Sequence, residues 1–181
     1  MTLELRTEAF DGPVGVRLVA DLTADLTMRY ADDDDPPACS LSPEARTARG
    51  AVLDEEERAY AAEVSPADVV APLGAFVVAY LDGIPVGCGA VKRHAERVAE
   101  VKRVWVVPSA RGRGVARALM ARLEQEAGAL GYRTIQLETG LRQPEAIALY
   151  TSLGYRRRAP YGFFRDSPLS VCFERDVPRP G

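Results

Sequence analysis

The chain has 181 residues, 47% hydrophobic and 27% charged, with a formal charge of −3; this is the balance of a soluble globular protein long enough for one domain over 1–181. That charge argues against non-specific nucleic-acid binding, which needs a broad basic surface. No apolar run approaches the ~18 residues of a membrane span, and no basic-then-apolar signal peptide opens the chain. Cys39, Cys88 and Cys172 are widely separated and lack metal-ligand spacing, so a reduced, cytoplasmic protein without a bound metal is expected.

Leu3, Leu5 and Thr7 alternate with polar residues, which predicts a first strand over 2–8. Asp11-Gly12-Pro13 is a turn and helix start; Val14, Leu18, Leu22 and Leu26 then recur every fourth residue, an amphipathic helix to about Tyr30. Asp32 to Pro37 breaks it, and its adjacent carboxylates read as a solvated loop rather than a cation site. Residues 54–63 are helical by their Glu, Ala and Arg content. A strand over 74–81, a hairpin turn at Asp82-Gly83, a return strand over 84–92 and a reversal near 94–97 follow. His94, the only histidine, is read as a residue of that reversal, since no nucleophile signature accompanies it.

Val101 to Val107 is a β-branched and aromatic run closed by Pro108, which has no N–H to give a ladder. After it, Val115, Leu119, Leu123, Ala127 and Leu130 form a helical stripe that ends at Gly131. Between strand and helix lies Arg111-Gly112-Arg113-Gly114-Val115-Ala116. A helix N-terminus offers unpaired N–H groups and about half a positive charge, and glycines without Cβ admit a phosphate closely. The P-loop is excluded because no Gly-Lys-Ser/Thr follows, and the dinucleotide fingerprint because Arg117 stands where its third glycine belongs. Further strands are predicted over 134–139, 155–159 and 168–175, with a helix from Pro144 to Leu153 capped by Gly154.

The run from Val106 to Ala116 resembles the acetyl-CoA motif Q/R-x-x-G-x-G/A of the GCN5-related N-acetyltransferases (GNAT). Ala146-Ile147-Ala148-Leu149-Tyr150 with Leu153-Gly154-Tyr155 resembles that superfamily's second signature. The two cover a core of about 74–176. The resemblance implies an α/β GNAT-type acyl-CoA N-acyltransferase fold, with a mixed, mostly antiparallel sheet of about seven strands and about four helices. Residues 9–73 would then lie on the acceptor side. It implies acetyl transfer from acetyl-CoA to a primary amine of a small molecule or peptide, by a monomer or homodimer. A protein N-terminal or lysine acetyltransferase, and a non-catalytic acyl-CoA sensor, remain the alternatives.

The same resemblance assigns roles. Arg111, Gly112, Arg113, Gly114, Val115 and Ala116 would hold the pyrophosphate; Arg117 and Arg122 read as solvated helix charges first, and as contacts to the other phosphate second. The pantetheine arm would lie along Val104, Trp105 and Val106. Strands ending near Val107 and starting near Thr134 would diverge to admit it. Gln143 stands where the family commonly has Asn, with a longer arm. Tyr150 would face the thioester sulfur, or fill the core. Glu100 and Glu138 are the two candidate bases, with solvated strand-end charges as the alternative; Glu100, which on a period of two shares a face with Lys102, Val104 and Val106, is narrowly preferred because its strand also carries the pantetheine-binding backbone. Tyr161, Phe163 and Phe164 would line the acceptor pocket or pack beneath the sheet.

Overall fold

The hairpin at Asp82 and Gly83 sets the first register. Both residues take positive φ, +49° and +81°, as a two-residue turn between twisted antiparallel strands requires. The computed structural model describes residues 1–30 and 62–178, and within them one sheet of seven strands runs in the order β1-β2-β3-β4-β5-β7-β6. Its strands are β1 (Leu3–Thr7), β2 (Ala75–Leu81), β3 (Ile84–Ala95), β4 (Val98–Val106), β5 (Thr134–Gly140), β6 (Arg156–Arg157) and β7 (Ser170–Asp176). Every pairing is antiparallel except β4 with β5. Three α-helices accompany it among the described residues: α1 (Pro13–Tyr30), α2 (Val115–Ala129) and α3 (Pro144–Ser152). This is the expected fold class. The helix expected over 54–63 falls almost wholly outside the described residues, as do the Asp32 to Pro37 stretch and Cys39.

The central strands are covered on both faces, so β2 is buried along its whole length and reads as a continuous apolar run. On one face Val77 and Ala79 pack with Leu119, Leu123 and Ala127 of α2. Gly87 and Gly89 of β3 let α2 sit this close: a Cβ on Gly89 would come within 2.8 Å of the Leu123 side chain. On the opposite face Phe76, Val78 and Ala90 pack with Leu18 of α1. Fully burying such side chains contributes about 1.5–3 kcal/mol each. The buried Glu124 of α2 accepts hydrogen bonds from Tyr155 Oη at 3.0 Å and Arg175 at 3.1 Å, tying the helix to the far edge of the sheet.

Two expectations need correction. β3 continues to Ala95, because Arg93 and Ala95 still pair with Ala99 and Val98. His94 is therefore a strand residue, and the reversal is confined to Glu96 and Arg97. The alternation along β4 also breaks. Arg103 takes φ +60° at a register shift opposite Cys88 and Ala90, the signature of a bulge. Val104 and Val106 consequently pack with the α2 cluster, whereas Trp105 packs with the α1 cluster. Glu100 keeps Lys102 on its face but not those two valines.

Candidate active site

β4 and β5 pair only from Val98↔Thr134 to Val101↔Leu137. Beyond Val101 the expected parting of the strands follows. The chain leaves β4 through a 3-10 turn, Pro108–Ala110, and reaches α2 through Gly112 and Gly114 at φ +75° and +79°. A Cβ on either glycine would meet nothing within 4 Å, so this backbone is open to a ligand. Gly114 is the N-cap of α2 and brings no side-chain cap. The first helical bond there joins Ala118 N–H to the Gly114 carbonyl at 3.0 Å. The N–H groups of Val115, Ala116 and Arg117 precede it, at the positive end of the helix dipole.

A cavity of about 350 Å³ runs from this turn along the end of β4, between α1 and α3, within the size range of small-molecule sites. Val104, Trp105 and Val106 line one side of it, and Arg111, Gly112, Gly114, Val115, Ala116 and Arg117 its phosphate-turn end. Gln143 and Tyr150 line the α3 side. Arg113 is exposed outside that lining. Arg111 does not simply point at the turn's mouth: its Nε donates to the Val106 carbonyl at 3.0 Å and its other end to Asp25 at 2.7 Å. Arg117 donates to Ser152 Oγ at 2.9 Å. Arg122 faces elsewhere, bound to Glu126 at 2.7 Å and Thr7 at 3.2 Å, in keeping with its first reading as a helix charge. Gln143 Nε2 donates to Tyr30 Oη at 3.2 Å, which its longer arm permits.

Tyr150 is both a buried residue and a cavity-lining one. Its ring is buried, with centroids 6.0 Å from Tyr155 and 5.9 Å from Phe173, yet the residue also lines the cavity.

The two candidate bases meet on the α1 face of the sheet, around one cation. Lys102 Nζ lies 3.3 Å from Glu100 and 2.8 Å from Glu63. Burial works against the Lys102 charge, but Glu100, Glu63 and Glu138 hold its pKa above the ordinary lysine value. Glu100 is 6% exposed and also faces His94 Nδ1 at 3.8 Å. Burial pushes the Glu138 carboxyl up; the Ser170 hydroxyl, donating at 2.7 Å, and Lys102 only partly offset this. Tyr161 stands beside them, its ring 5.3 Å from His94, and burial with the Glu100 charge pushes its phenol well up. Phe163 is exposed and packs edge-on against Phe164, with centroids 4.8 Å apart, so it does not pack beneath the sheet.

Asp25, Glu63 and Ser170 were not foreseen. Their partners lie 80, 39 and 32 positions away in the chain, and only folding brings them together. Among the described residues, no group of three or more His, Cys, Asp or Glu side chains is arranged to hold a metal ion, and no helix is long and apolar enough to cross a membrane.

An open glycine backbone at a helix N-terminus, joined by one cavity to a buried phenol, fits a long ligand with anionic groups at one end. Comparison with known proteins points the same way. Residues 33–155 match the model of the acetyltransferase (GNAT) family. An "IAA acetyltransferase" of Azospirillum brasilense is 43% identical over 103 residues, 56% of this chain and 67% of that protein. A solved Klebsiella pneumoniae protein, provisionally named an acyl-CoA N-acyltransferase, is 26% identical with a TM-score of 0.69, over 97% of this chain and 98% of that one. A GNAT acetyltransferase structure from Elizabethkingia anophelis with acetyl-CoA bound shares the fold at 15% identity and a TM-score of 0.61, over 97% and 98% of the two chains.

Proposed function

The chain belongs to the acetyltransferase (GNAT) family, and from that premise we propose that it moves the acetyl group of acetyl-CoA to a primary amine of a small molecule or peptide. The observation that carries this reading is the single cavity that joins the bare N-terminus of α2 to Tyr150. Acetyl-CoA supplies an activated thioester, and the chain supplies its placement and the traffic of protons. Backbone N–H groups from Arg113 to Ala116 receive the pyrophosphate. The edge of β4 at Val104 to Val106, which has no β5 partner, receives the pantetheine amides, as an added strand would.

The acceptor amine must be neutral to attack. An alkylamine of pKa about 10.4 is neutral only about once in 2500 molecules at pH 7, so a base is useful. Burial raises the Glu138 carboxyl above its ordinary value; Glu100 pairs with Lys102 and faces His94. A carboxylate with a raised pKa is a good proton acceptor at neutral pH, and that role is given to Glu138. Glu100 then keeps Lys102 charged and the cluster fixed. As the amine nitrogen bonds to the acetyl carbon, the carbon–sulfur bond breaks, and the amine proton passes to Glu138. The Tyr150 phenol donates a hydrogen bond to the departing thiolate. Full donation is slightly uphill in water, from about 10 to about 8.5 in pKa, but a desolvated site strengthens the hydrogen bond itself.

The test is release of free CoA thiol from acetyl-CoA across a panel of primary amines, peptides and amino acids. Amine-dependent release, with a product heavier by one acetyl group, is the expected result. Tight acetyl-CoA binding with no turnover on any amine would replace this reading with that of an acyl-CoA sensor.

A further inference from the structure

Asp25 of α1 gathers three donors from three parts of the molecule. Its Oδ2 accepts from Trp105 Nε1 of β4 at 2.9 Å and from Arg111 of the phosphate turn at 2.7 Å. Its Oδ1 accepts from Arg29 Nε, one helical turn on, at 3.2 Å. Arg29 continues the line to Glu145 of α3 at 2.5 Å, and Arg111 continues it to the Val106 carbonyl at 3.0 Å. All five side chains line the same cavity. An unbroken chain of charge-assisted hydrogen bonds thus runs from the end of β4, through the turn and α1, to the start of the helix that carries Tyr150. Burial would raise the Asp25 carboxyl, but the bonds from Trp105, Arg111 and Arg29 hold it below the usual carboxylate range.

We propose that Asp25 is a positioning residue for the acetyl-CoA site: its carboxylate fixes Arg111 and Trp105, and so joins the two walls of the cleft. The inference rests on the acetyl-CoA reading above. Arg111 opens the turn whose N–H groups meet the pyrophosphate, and it is fastened at one end to strand β4 and at the other to α1. Releasing the α1 end leaves the Arg111 side chain held by one bond, to the Val106 carbonyl. A simpler role, in which Asp25 only neutralises Arg111 and Arg29, makes the opposite forecast. Removing a negative charge beside an anionic ligand would then tighten binding. The sign of the effect decides between them.

Asp25→Asn keeps the shape and an acceptor for Trp105, but loses the charge that holds Arg111. Trp105 is the only tryptophan, so its fluorescence reports both on its own hydrogen bond and on acetyl-CoA entering the cavity it lines. In Asp25→Asn the dissociation constant for acetyl-CoA rises by about 10-fold or more, as expected for a lost charge-assisted hydrogen bond. At saturating acetyl-CoA, kcat changes by less than about 3-fold, the split expected when binding rather than chemistry is lost. The Trp105 emission of the free protein shifts, and in an Arg111→Gln background the substitution loses most of its effect on affinity. An unchanged or lower dissociation constant overturns the proposal. So does failure of Asp25→Asn to fold, which would assign Asp25 to the scaffold. Failure of the wild-type chain to bind acetyl-CoA in the same titration would sink the underlying reading instead.

Discussion

The two ends of the cleft are built by different means. The proposed phosphate turn offers backbone: two glycines at positive φ, a helix start without a side-chain cap, and a strand edge without a β5 partner beyond Val101. The proposed acceptor end, outside the cavity's lining, offers side chains: Glu100, Glu138, Glu63, Tyr161 and His94 around Lys102. Backbone recognition suits the part of a ligand that never varies. Side-chain recognition can be altered one residue at a time, which suits an acceptor. The turn should therefore respond to changes of conformation and bulk, and the acceptor end to changes of charge and pH.

The largest effect is expected at the turn. Gly114→Glu forces a side chain into the left-handed region, at about 1–2 kcal/mol, and sets a carboxylate against the pyrophosphate. Wild-type protein at 100 times its dissociation constant gains about 2.7 kcal/mol from acetyl-CoA, seen as a rise in Tm. The variant should fold with a Tm lowered by several degrees and show no rise. A normal acetyl-CoA shift would remove the phosphate from this turn.

Tyr150→Phe comes next. It keeps the packing against Tyr155 and Phe173 and deletes one hydroxyl, so acetyl-CoA affinity should hold. Turnover should fall by about 10- to 1000-fold, by analogy with lost oxyanion donors. Steady-state kinetics with kcat at the wild-type level would leave Tyr150 with a packing role alone.

That much of the contrast was legible in the sequence because glycine and proline announce backbone conformation locally. Pro108, Gly112, Gly114, Gly131 and Gly154 stand at the turn and helix boundaries where they were expected. The period-two reading of β4 failed at Arg103, because a bulge at a non-glycine residue leaves no local mark. His94 was misplaced for a related reason: ladder length depends on its partner strand, not on its own residues. The acceptor end was the least legible. Glu100 and Glu138 were named, but Glu63, Ser170 and Asp25 act through contacts made only after folding. Their types and spacing, an ordinary solvated charge or hydroxyl in each case, give no sign of it.

The acceptor end is sharpened by pH. If Glu138 is the base, Glu138→Gln should lose the acidic limb of kcat/KM and most of the rate at pH 7, while Glu100→Gln retains that limb. The reverse pattern would return the role to Glu100. Stability gives an independent reading with a defined sign. Burial raises the Glu138 carboxyl above its ordinary value, so the folded state favours the protonated form. Its contribution is fullest below the unfolded pKa of about 4.5 and is lost as pH rises through the folded value. Relative to wild type, Glu138→Gln should therefore have a higher Tm at pH 8 than at pH 4, measured by thermal scans at both. A difference of the opposite sign would mean that Lys102 and Ser170 outweigh burial.

The smallest effect is expected at Arg122. Arg122 pairs at the surface with Glu126 and Thr7, and Arg122→Ala should cost no more than about 1 kcal/mol. Acetyl-CoA titration should give the wild-type dissociation constant; a weakened one would restore Arg122 to the phosphate site.

The most direct measurement is amide hydrogen exchange, residue by residue, with and without saturating acetyl-CoA. Backbone recognition requires that exchange slow at Arg113 to Ala116, and along Val104 to Val106, by about 10-fold or more. Protection confined to the strands that carry Glu100 and Glu138, with residues 113–116 exchanging as before, would contradict it.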